Sequence, residues 1–182
     1  MTEKTVRLGR NSFLWLNGVG GLLVLASYAW GVASDTGVAS GLWGGVPEAI
    51  RPLYTVNMLL SAAGYFLFAP YVAFRLDAAR NDYPGKGPYS IFHVLMFLVL
   101  IPSAIWLPAT AWMIRDPNPW LWLFIRVDLA LVAIGSLGLL IAFVRLRPPY
   151  VAGRGLAILG TLPFCLQTVV LDALVWPAYF GT

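Results

Sequence analysis

Five long apolar segments constrain the fold of this chain more than any other feature of its sequence. They cover residues 12–34, 52–75, 89–114, 119–144 and 154–178. About twenty apolar residues cross the hydrocarbon core of a bilayer as one helix. Lipid also requires that the backbone polar groups of a spanning segment be satisfied internally, which a helix achieves. The sequence therefore predicts an all-α bundle of five transmembrane helices, forming a single domain over residues 1–182.

Composition excludes several classes of protein. Charged residues make up 11% of the 182 residues and hydrophobic ones 59%, whereas a soluble domain carries about 25% charged residues. The net charge of +4 is small and the basic residues are dispersed, so we predict no nucleic-acid binding. One cysteine, Cys165, and one histidine, His93, provide neither a multi-cysteine nor a histidine-rich site. We therefore predict no metal and no required cofactor.

Local signals predict how two of the helices begin. Asn11 or Ser12 can cap the start of the first helix, and Pro119 is suited to the first turn of the fourth. The basic start, the apolar run and the "GVAS" before Asp35 also resemble a signal peptide. The apolar run is longer than such peptides usually have, which favours a retained helix.

Basic residues lie mainly at one end of the predicted bundle. That end carries Lys4, Arg7, Arg10, Arg75, Arg80, Lys86, Arg145, Arg147 and Arg154. The loops at the other end carry only Arg51 and Arg115. The positive-inside rule then predicts a cytoplasmic N-terminus and a C-terminus outside. Lysine occurs only at positions 4 and 86 among the 12 basic residues, a bias typical of GC-rich genomes, and a bacterial inner membrane is the predicted location.

Polar and aromatic residues recur at helical spacing on three of the segments. The stripes are Tyr54, Asn57, Ser61 and Gly64; Ser103, Trp106 and Thr110; and Thr161, Cys165, Thr168, Asp172 and Trp176. Residues three or four apart share one face of a helix, and polar faces in a membrane turn towards the bundle interior. The stripes either hydrogen-bond the helices together or line a cavity. Their clustering towards the outer side favours a cavity.

The fourth segment contains two charged residues, Arg126 and Asp128. Two positions along a helix rotate by about 200°, so these side chains point in opposite directions. Arg126 either extends to the outer interface or reaches Asp172 as an ion pair. Asp128 is too short to reach the interface, so it faces protein or water, and a pairing with Asp172 is one alternative.

Small and aromatic residues allow further predictions. The Gly135 and Gly138 region serves contacts with a partner chain or within the bundle. Some tryptophans are predicted to lie in interfacial belts, namely Trp15, Trp30, Trp120 and Trp176.

Three short motifs give the chain a resemblance to a known family. "SAIWLPATAW" holds Ser103, Trp106 and Pro108 in a polar, tryptophan, proline order, "VPEAIRPLYT" leads into the second segment, and "LPFCLQTVVLD" lies within the fifth. With five helices and its longest loop after the first, the chain resembles the translocator protein or tryptophan-rich sensory protein family (TspO/MBR). Ser103 replaces the asparagine usual there, and Tyr54 stands near an expected tryptophan. The resemblance implies a first loop folded over a pocket for tetrapyrroles, sterols or other flat lipophiles.

These observations predict a membrane-embedded protein that binds, senses or transports a lipophilic small molecule. Its partners would be membrane lipid and that molecule, such as a bound tetrapyrrole or lipid, and a homodimer is compatible with the sequence. The predicted ligand-binding residues are Tyr28, Trp43, Tyr54, Asn57, Ser103, Trp106, Thr110, Arg126, Asp128, Thr168 and Asp172. One alternative is an acid–base lipid isomerase that uses Asp128 and Asp172 as its catalytic groups. Another is a structural subunit of a larger membrane complex, or a proton-coupled pathway through the two aspartates.

Overall fold

The computed structural model describes residues 3–33, 36–77, 89–146 and 152–180. Its elements are α1 (Glu3–Ala33), α2 (Thr36–Gly41), a 3-10 turn (Glu48–Ile50), α3 (Arg51–Phe74), α4 (Ser90–Arg115), α5 (Pro119–Val144), α6 (Arg154–Cys165), a π-helical segment (Leu166–Val175) and α7 (Trp176–Tyr179). The last three elements form one continuous helix. Within the described ranges there is no strand, so the predicted all-α fold is confirmed.

Five of these helical stretches are long and apolar enough to cross a membrane. They are Glu3–Gly31, Glu48–Phe74, Ser90–Arg115, Pro119–Val144 and Arg154–Tyr179. Large apolar side chains cover their outward faces, among them Leu22, which is 67% exposed, and Phe66, which is 71% exposed. A surface of this kind fits contact with lipid and not with water, as expected of an integral membrane protein.

The helices pack in the order α1, α4, α5, C-terminal helix and α3, each against the next. The first and last of this order, α1 and α3, make few contacts with each other. α1 and α4 run parallel, because Ser12 lies beside His93 and Gly31 beside Leu107. We call the end that holds the start of α1 the N-terminal end of the bundle. The opposite end, which holds α2, the start of α3 and α7, is its C-terminal end.

Glycines allow two of the helix pairs to approach closely. Gly64 of α3 and Gly160 of α6 bring the two backbones into contact, and a Cβ atom at Gly160 would lie 2.7 Å from the Gly64 carbonyl oxygen. A Cβ at Gly135 would lie 2.8 Å from Val99 Cγ2, and one at Gly138 would clash with Leu95. Gly135 and Gly138 therefore serve contacts within the bundle, the second of the two alternatives.

The predicted start of α1 is wrong. The helix begins at Glu3, so Asn11 and Ser12 lie inside it and cap nothing. Ser12 instead donates its hydroxyl to the Gly9 carbonyl oxygen at 3.0 Å, within its own helix. A serine inside a helix commonly bonds back to the preceding turn, and Glu3 at the first turn suits the positive end of the helix dipole.

The start of α5 agrees with prediction, and Asn118 supplies its cap. Pro119 occupies the first turn, and Asn118 Oδ1 accepts hydrogen bonds from the backbone nitrogens of Trp120 at 2.8 Å and Leu121 at 3.3 Å. These bonds satisfy donors that have no partner inside the helix.

Replacing Asn118 with alanine is expected to lower the free energy of unfolding by about 1 kcal/mol, because the capping bonds are lost. Asn118→Asp keeps the acceptor and should retain most of the stability. Thermal unfolding in detergent measures the difference. Asn11→Ala is the matched control, since Asn11 is exposed inside α1 and caps no helix. Equal midpoints for the two alanine variants would contradict the assigned cap.

The end of α6 and the π-helical segment provide backbone acceptors to α3. Asn57 Nδ2 and the Ser61 hydroxyl donate to the Pro163 carbonyl oxygen at 3.0 and 2.9 Å, and the Tyr54 hydroxyl donates to the Leu171 carbonyl oxygen at 2.9 Å. A wider helical turn alters which carbonyl oxygens remain open to other partners, and π-helical turns are frequent at functional sites. Side chains of α3 thus bind the C-terminal helix through its backbone.

Candidate functional site

Three buried polar atoms near the C-terminal end have no hydrogen-bond partner among the described residues. They are Trp106 Nε1, Thr110 Oγ1 and Asp128 Oδ2. Thr110 is 0% exposed and Asp128 is 4% exposed. Buried side-chain polar atoms in native proteins nearly always have a partner, so these three atoms are exceptions that require an explanation.

The three atoms belong to the faces that α4 and α5 turn towards each other. Gly135 of α5 packs on Val99 of α4, and the two helices run antiparallel. Seven residues make close to two full turns of a helix. Trp106, seven residues after Val99 in α4, therefore lies on the same face of α4 as Val99. Moving seven back from Gly135 reaches Asp128, also on the same face. Asp128 and Trp106 therefore lie at the same level of the interface, and Thr110 lies one turn further along α4.

An aromatic cluster surrounds this point, consisting of Tyr28, Trp106, Trp122, Trp176 and Phe180. The Trp106 ring lies 6.4 Å from the Tyr28 ring and 5.6 Å from the Trp176 ring, between centroids. Trp122 stacks on Phe180 at 5.3 Å, and Trp176 contacts Phe180 at 4.5 Å. Side chains of α1, α4, α5 and α7 thus bound the site.

The interfacial position predicted for Trp176 is wrong. This side chain is 3% exposed, and its Nε1 donates to the Leu42 carbonyl oxygen at 2.8 Å. The bond ties α7 to the segment after α2. The other three tryptophans predicted for the belts do lie on the surface, since Trp15 is 73%, Trp30 44% and Trp120 78% exposed.

Asp172 belongs to a chain of side-chain hydrogen bonds. Asn57 Nδ2 donates to Gln167 Oε1 at 3.0 Å, and Gln167 Nε2 donates to Asp172 Oδ1 at 2.8 Å. Tyr28 lies close enough to Asp172 to interact with it electrostatically. The Tyr28 side chain therefore connects Asp172 to the aromatic cluster.

Neither predicted pairing of Asp172 occurs in the described parts of the chain. No hydrogen bond joins it to Asp128, and no charged side chain acts on either carboxyl group. Arg126 is exposed on the outer surface of α5, whereas Asp128 is buried. Their opposite directions are as predicted, and the surface position of Arg126 removes it from the site.

Other residues of the polar stripes form hydrogen bonds between helices, which is one of the two roles predicted for the stripes. Thr168 Oγ1 lies 2.6 Å from Ser136 Oγ and also donates to the Phe164 carbonyl oxygen at 2.9 Å. Asn57 and Tyr54 likewise bond to the C-terminal helix. These residues join helices, whereas Trp106 Nε1, Thr110 Oγ1 and Asp128 Oδ2 have no partner among the described residues. Hydrogen bonding between helices therefore accounts for only part of the predicted set.

Two further predicted residues flank the site. Trp43 packs on Tyr54 with 6.0 Å between ring centroids, and the Arg51 guanidinium lies 5.6 Å from the Trp43 ring centroid. Ser103 is half-buried, one turn before Trp106. Trp43 and Tyr54 therefore form the side of the site nearest the start of α3.

Sequence reasoning missed Gln167, Trp122 and Phe180. Gln167 is one residue from Thr168, so a stripe counted with ordinary helical spacing excludes it. In the wider π-helical turns both residues are buried. An isolated glutamine in an apolar segment was the available signal, because such residues in membranes need a partner.

The described residues contain no cluster of three or more histidine, cysteine or acidic side chains able to hold a metal ion. His93 lies at the opposite end of the bundle, where Nε2 is 2.6 Å from Ser12 Oγ and Nδ1 is 2.8 Å from the Tyr89 carbonyl oxygen. It also borders a shallow apolar groove with Leu16 and Phe97. His93 is therefore remote from Trp106, Thr110 and Asp128, and it lies near Ser90, whose hydroxyl is also buried without a partner among the described residues.

The fold and the site together define an all-helical protein with five potential membrane-spanning helices and a polar site among aromatic residues. Comparison with protein-family models, with curated proteins and with solved structures finds no match.

Proposed function

We propose that this chain is an integral membrane protein that binds a lipophilic small molecule in the outer half of the bilayer. The observation that carries the proposal is the trio of unpartnered buried atoms on Trp106, Thr110 and Asp128 beside the aromatic cluster. Small-molecule sites are typically apolar and aromatic, with a few convergent polar groups that orient the ligand. The resemblance to the TspO/MBR family supports a flat ligand such as a tetrapyrrole, a sterol or another lipid.

The outer position of the site rests on the distribution of charge. Six described basic residues belong to the N-terminal end of the bundle: Lys4, Arg7, Arg10, Arg75, Arg145 and Arg154. Three others of the predicted set, Arg80, Lys86 and Arg147, lie outside the described residues. The positive-inside rule places this end in the cytoplasm, in a bacterial inner membrane by our interpretation.

Fusions at the C-terminus test this orientation. Alkaline phosphatase is active only outside the cytoplasm, whereas green fluorescent protein matures only inside. We expect an active phosphatase fusion and a dark fluorescent fusion when each is expressed in a bacterial host. The reverse pattern would place the site in the cytoplasmic half.

Ligand binding is tested first on the wild-type protein in nonionic detergent. Mass and absorbance spectra identify any co-purifying lipid or pigment, and a porphyrin is then titrated against tryptophan fluorescence. Saturable quenching is expected, because Trp106 and Trp176 lie at the site. A protein that ignores the porphyrin, carries no ligand and purifies with other membrane chains would favour the subunit alternative.

Thr110→Val separates a ligand-binding role from a structural one. Valine has nearly the same shape and removes a hydroxyl that has no partner, so stability should be unchanged or slightly higher. Ligand affinity should fall by about three- to tenfold, the value of one hydrogen bond. Thr55→Val is the control, because Thr55 is exposed and bonds only to Arg51 of its own helix. An affinity unchanged in Thr110→Val would remove this hydroxyl from the site.

The acid–base isomerase has less support. It requires both carboxyl groups at one substrate, and Asp172 is held by Gln167 while Asp128 faces α4. Among the described residues no hydrogen bond joins the two carboxyl groups, which disfavours their action on one substrate.

A further inference from the structure

We infer that the site selects lipophilic cations over anions of the same shape. This inference rests on the proposed function and names the chemical class of its ligand. Two interior carboxyl groups, Asp128 and Asp172, lie at the C-terminal end of the bundle, and no charged side chain acts on either of them in the described residues. A carboxylate in a membrane interior needs a cation nearby, and a bound ligand can supply it.

The basic residues at the C-terminal end of the bundle do not lie beside these carboxyl groups. Arg126 is on the exposed surface of α5. Arg51 lies 3.7 Å from Glu48, donates to the Val46 carbonyl oxygen and covers Trp43. Arg115 is exposed at the last residue of α4. The described basic side chains at this end therefore provide no cation to either carboxyl group.

The aromatic cluster suits the same class of ligand. The faces of tryptophan and tyrosine rings attract cations, and the Arg51 guanidinium over Trp43 shows one such contact at this end of the bundle. Trp106 brings its ring to the level of Asp128, next to Tyr28. A cation at this point would lie near the Asp128 carboxyl group and near the Trp106 and Tyr28 rings.

The remaining unpartnered groups add a second requirement. Trp106 Nε1 can only donate a hydrogen bond, whereas the Thr110 hydroxyl can donate or accept. A ligand that satisfies all three atoms carries a positive charge near Asp128 and an acceptor atom near Trp106. A lipophilic amine or quaternary cation with an ether or carbonyl oxygen has this composition.

Probes of matched shape and different charge test the inference on the wild-type protein. They are tetraphenylphosphonium, tetraphenylborate and neutral triphenylphosphine oxide, with binding measured by equilibrium dialysis in nonionic detergent against protein-free micelles. The phosphonium cation is expected to bind saturably and at least about tenfold more tightly than the borate, since a like-charge contact is costly in a desolvated site. The charge series needs no variant, so it stays decisive if a variant fails to fold.

The Asp128→Asn variant tests whether the Asp128 carboxyl group causes the selectivity for cations. Asparagine keeps the shape and removes the charge, so the affinity for the phosphonium cation should fall by about tenfold or more, while that for the neutral phosphine oxide is unchanged. Asp172→Asn should act in the same direction. Asp116→Asn is the control, because Asp116 is an exposed carboxyl group just after α4 at the same end of the bundle.

The possible failures are distinguishable. Equal affinities for the three probes, or tighter binding of the borate, would overturn the charge selection and leave the lipophilic site intact. Phosphonium binding that is unchanged in both asparagine variants would also overturn it. If neither the probes nor a porphyrin binds, the proposed function fails together with this inference.

Discussion

Gly64→Ala is expected to destabilise the protein more than any other single methyl group added to the bundle. A Cβ atom at Gly64 would clash with the Gly160 carbonyl oxygen and lie 2.9 Å from its carbonyl carbon. These are backbone atoms, which cannot rotate away as the end of a side chain can. Overpacking usually costs about 1–3 kcal/mol, and we expect the upper part of this range or more. The measurement is thermal unfolding in detergent, together with the yield of monodisperse protein.

Gly155→Ala is the control for this variant. Gly155 lies in α6, the helix of Gly160, and no atom would lie within 4 Å of its added Cβ. Alanine favours a helix over glycine by about 1 kcal/mol, so this variant should be as stable as the wild type or more so. Gly160→Ala should resemble Gly64→Ala, because its Cβ meets the facing backbone. Similar unfolding temperatures for Gly64→Ala and Gly155→Ala would contradict the close approach of α3 and α6.

Trp176→Ala is expected to cause a second large loss of stability and to disrupt the site. The substitution removes contacts with Trp106, Trp122 and Phe180 and the hydrogen bond to the Leu42 carbonyl oxygen. Large-to-small changes at such buried aromatic positions cost about 3–5 kcal/mol. Inside a membrane the loss comes mainly from packing contacts, because lipid is itself apolar. Porphyrin or phosphonium binding should weaken together with stability.

Trp120→Ala provides the comparison for Trp176→Ala. Trp120 is 78% exposed, so its removal leaves no cavity, and the unfolding temperature should change little. Trp176→Phe should fall between the two, since it keeps an aromatic ring and loses the bond to Leu42. If Trp120→Ala proved as destabilising as Trp176→Ala, the central position of Trp176 would be wrong.

Local sequence signals predicted the ends of a helix well where the apolar run covers the whole helix. Residues 119–144 were predicted for α5, and the helix runs from Pro119 to Val144, because Pro119 suits the first helical turn and a long apolar run follows it. The start of α1 was missed because polar residues 3–11 do not look like a membrane span. They continue the helix beyond the apolar run, which hydropathy does not detect.

The sequence predicted many residues of the candidate site but not which hydrogen-bond partner each of them has. Trp106 and Thr110 were selected from helical stripes, as were Asn57 and Thr168, and Asp128 was selected as a charged residue inside an apolar segment. Only the arrangement of helices shows that Asn57 bonds to Pro163 and Gln167 while Thr110 bonds to nothing described. The π-helical segment also altered the spacing, which brought Gln167 into the interior and left it out of the prediction.

The sequence by itself determined five apolar helices and the opposite directions of Arg126 and Asp128. Both follow from local properties, namely the length of helix that crosses a bilayer and the rotation per residue. The tertiary structure alone decided that Asp128 lies at the level of Trp106 between α4 and α5, without Asp172 or Arg126 as a partner. Pairing depends on which helices adjoin and in what register. That register is determined by glycine contacts between residues far apart in the chain, such as Gly135 on Val99.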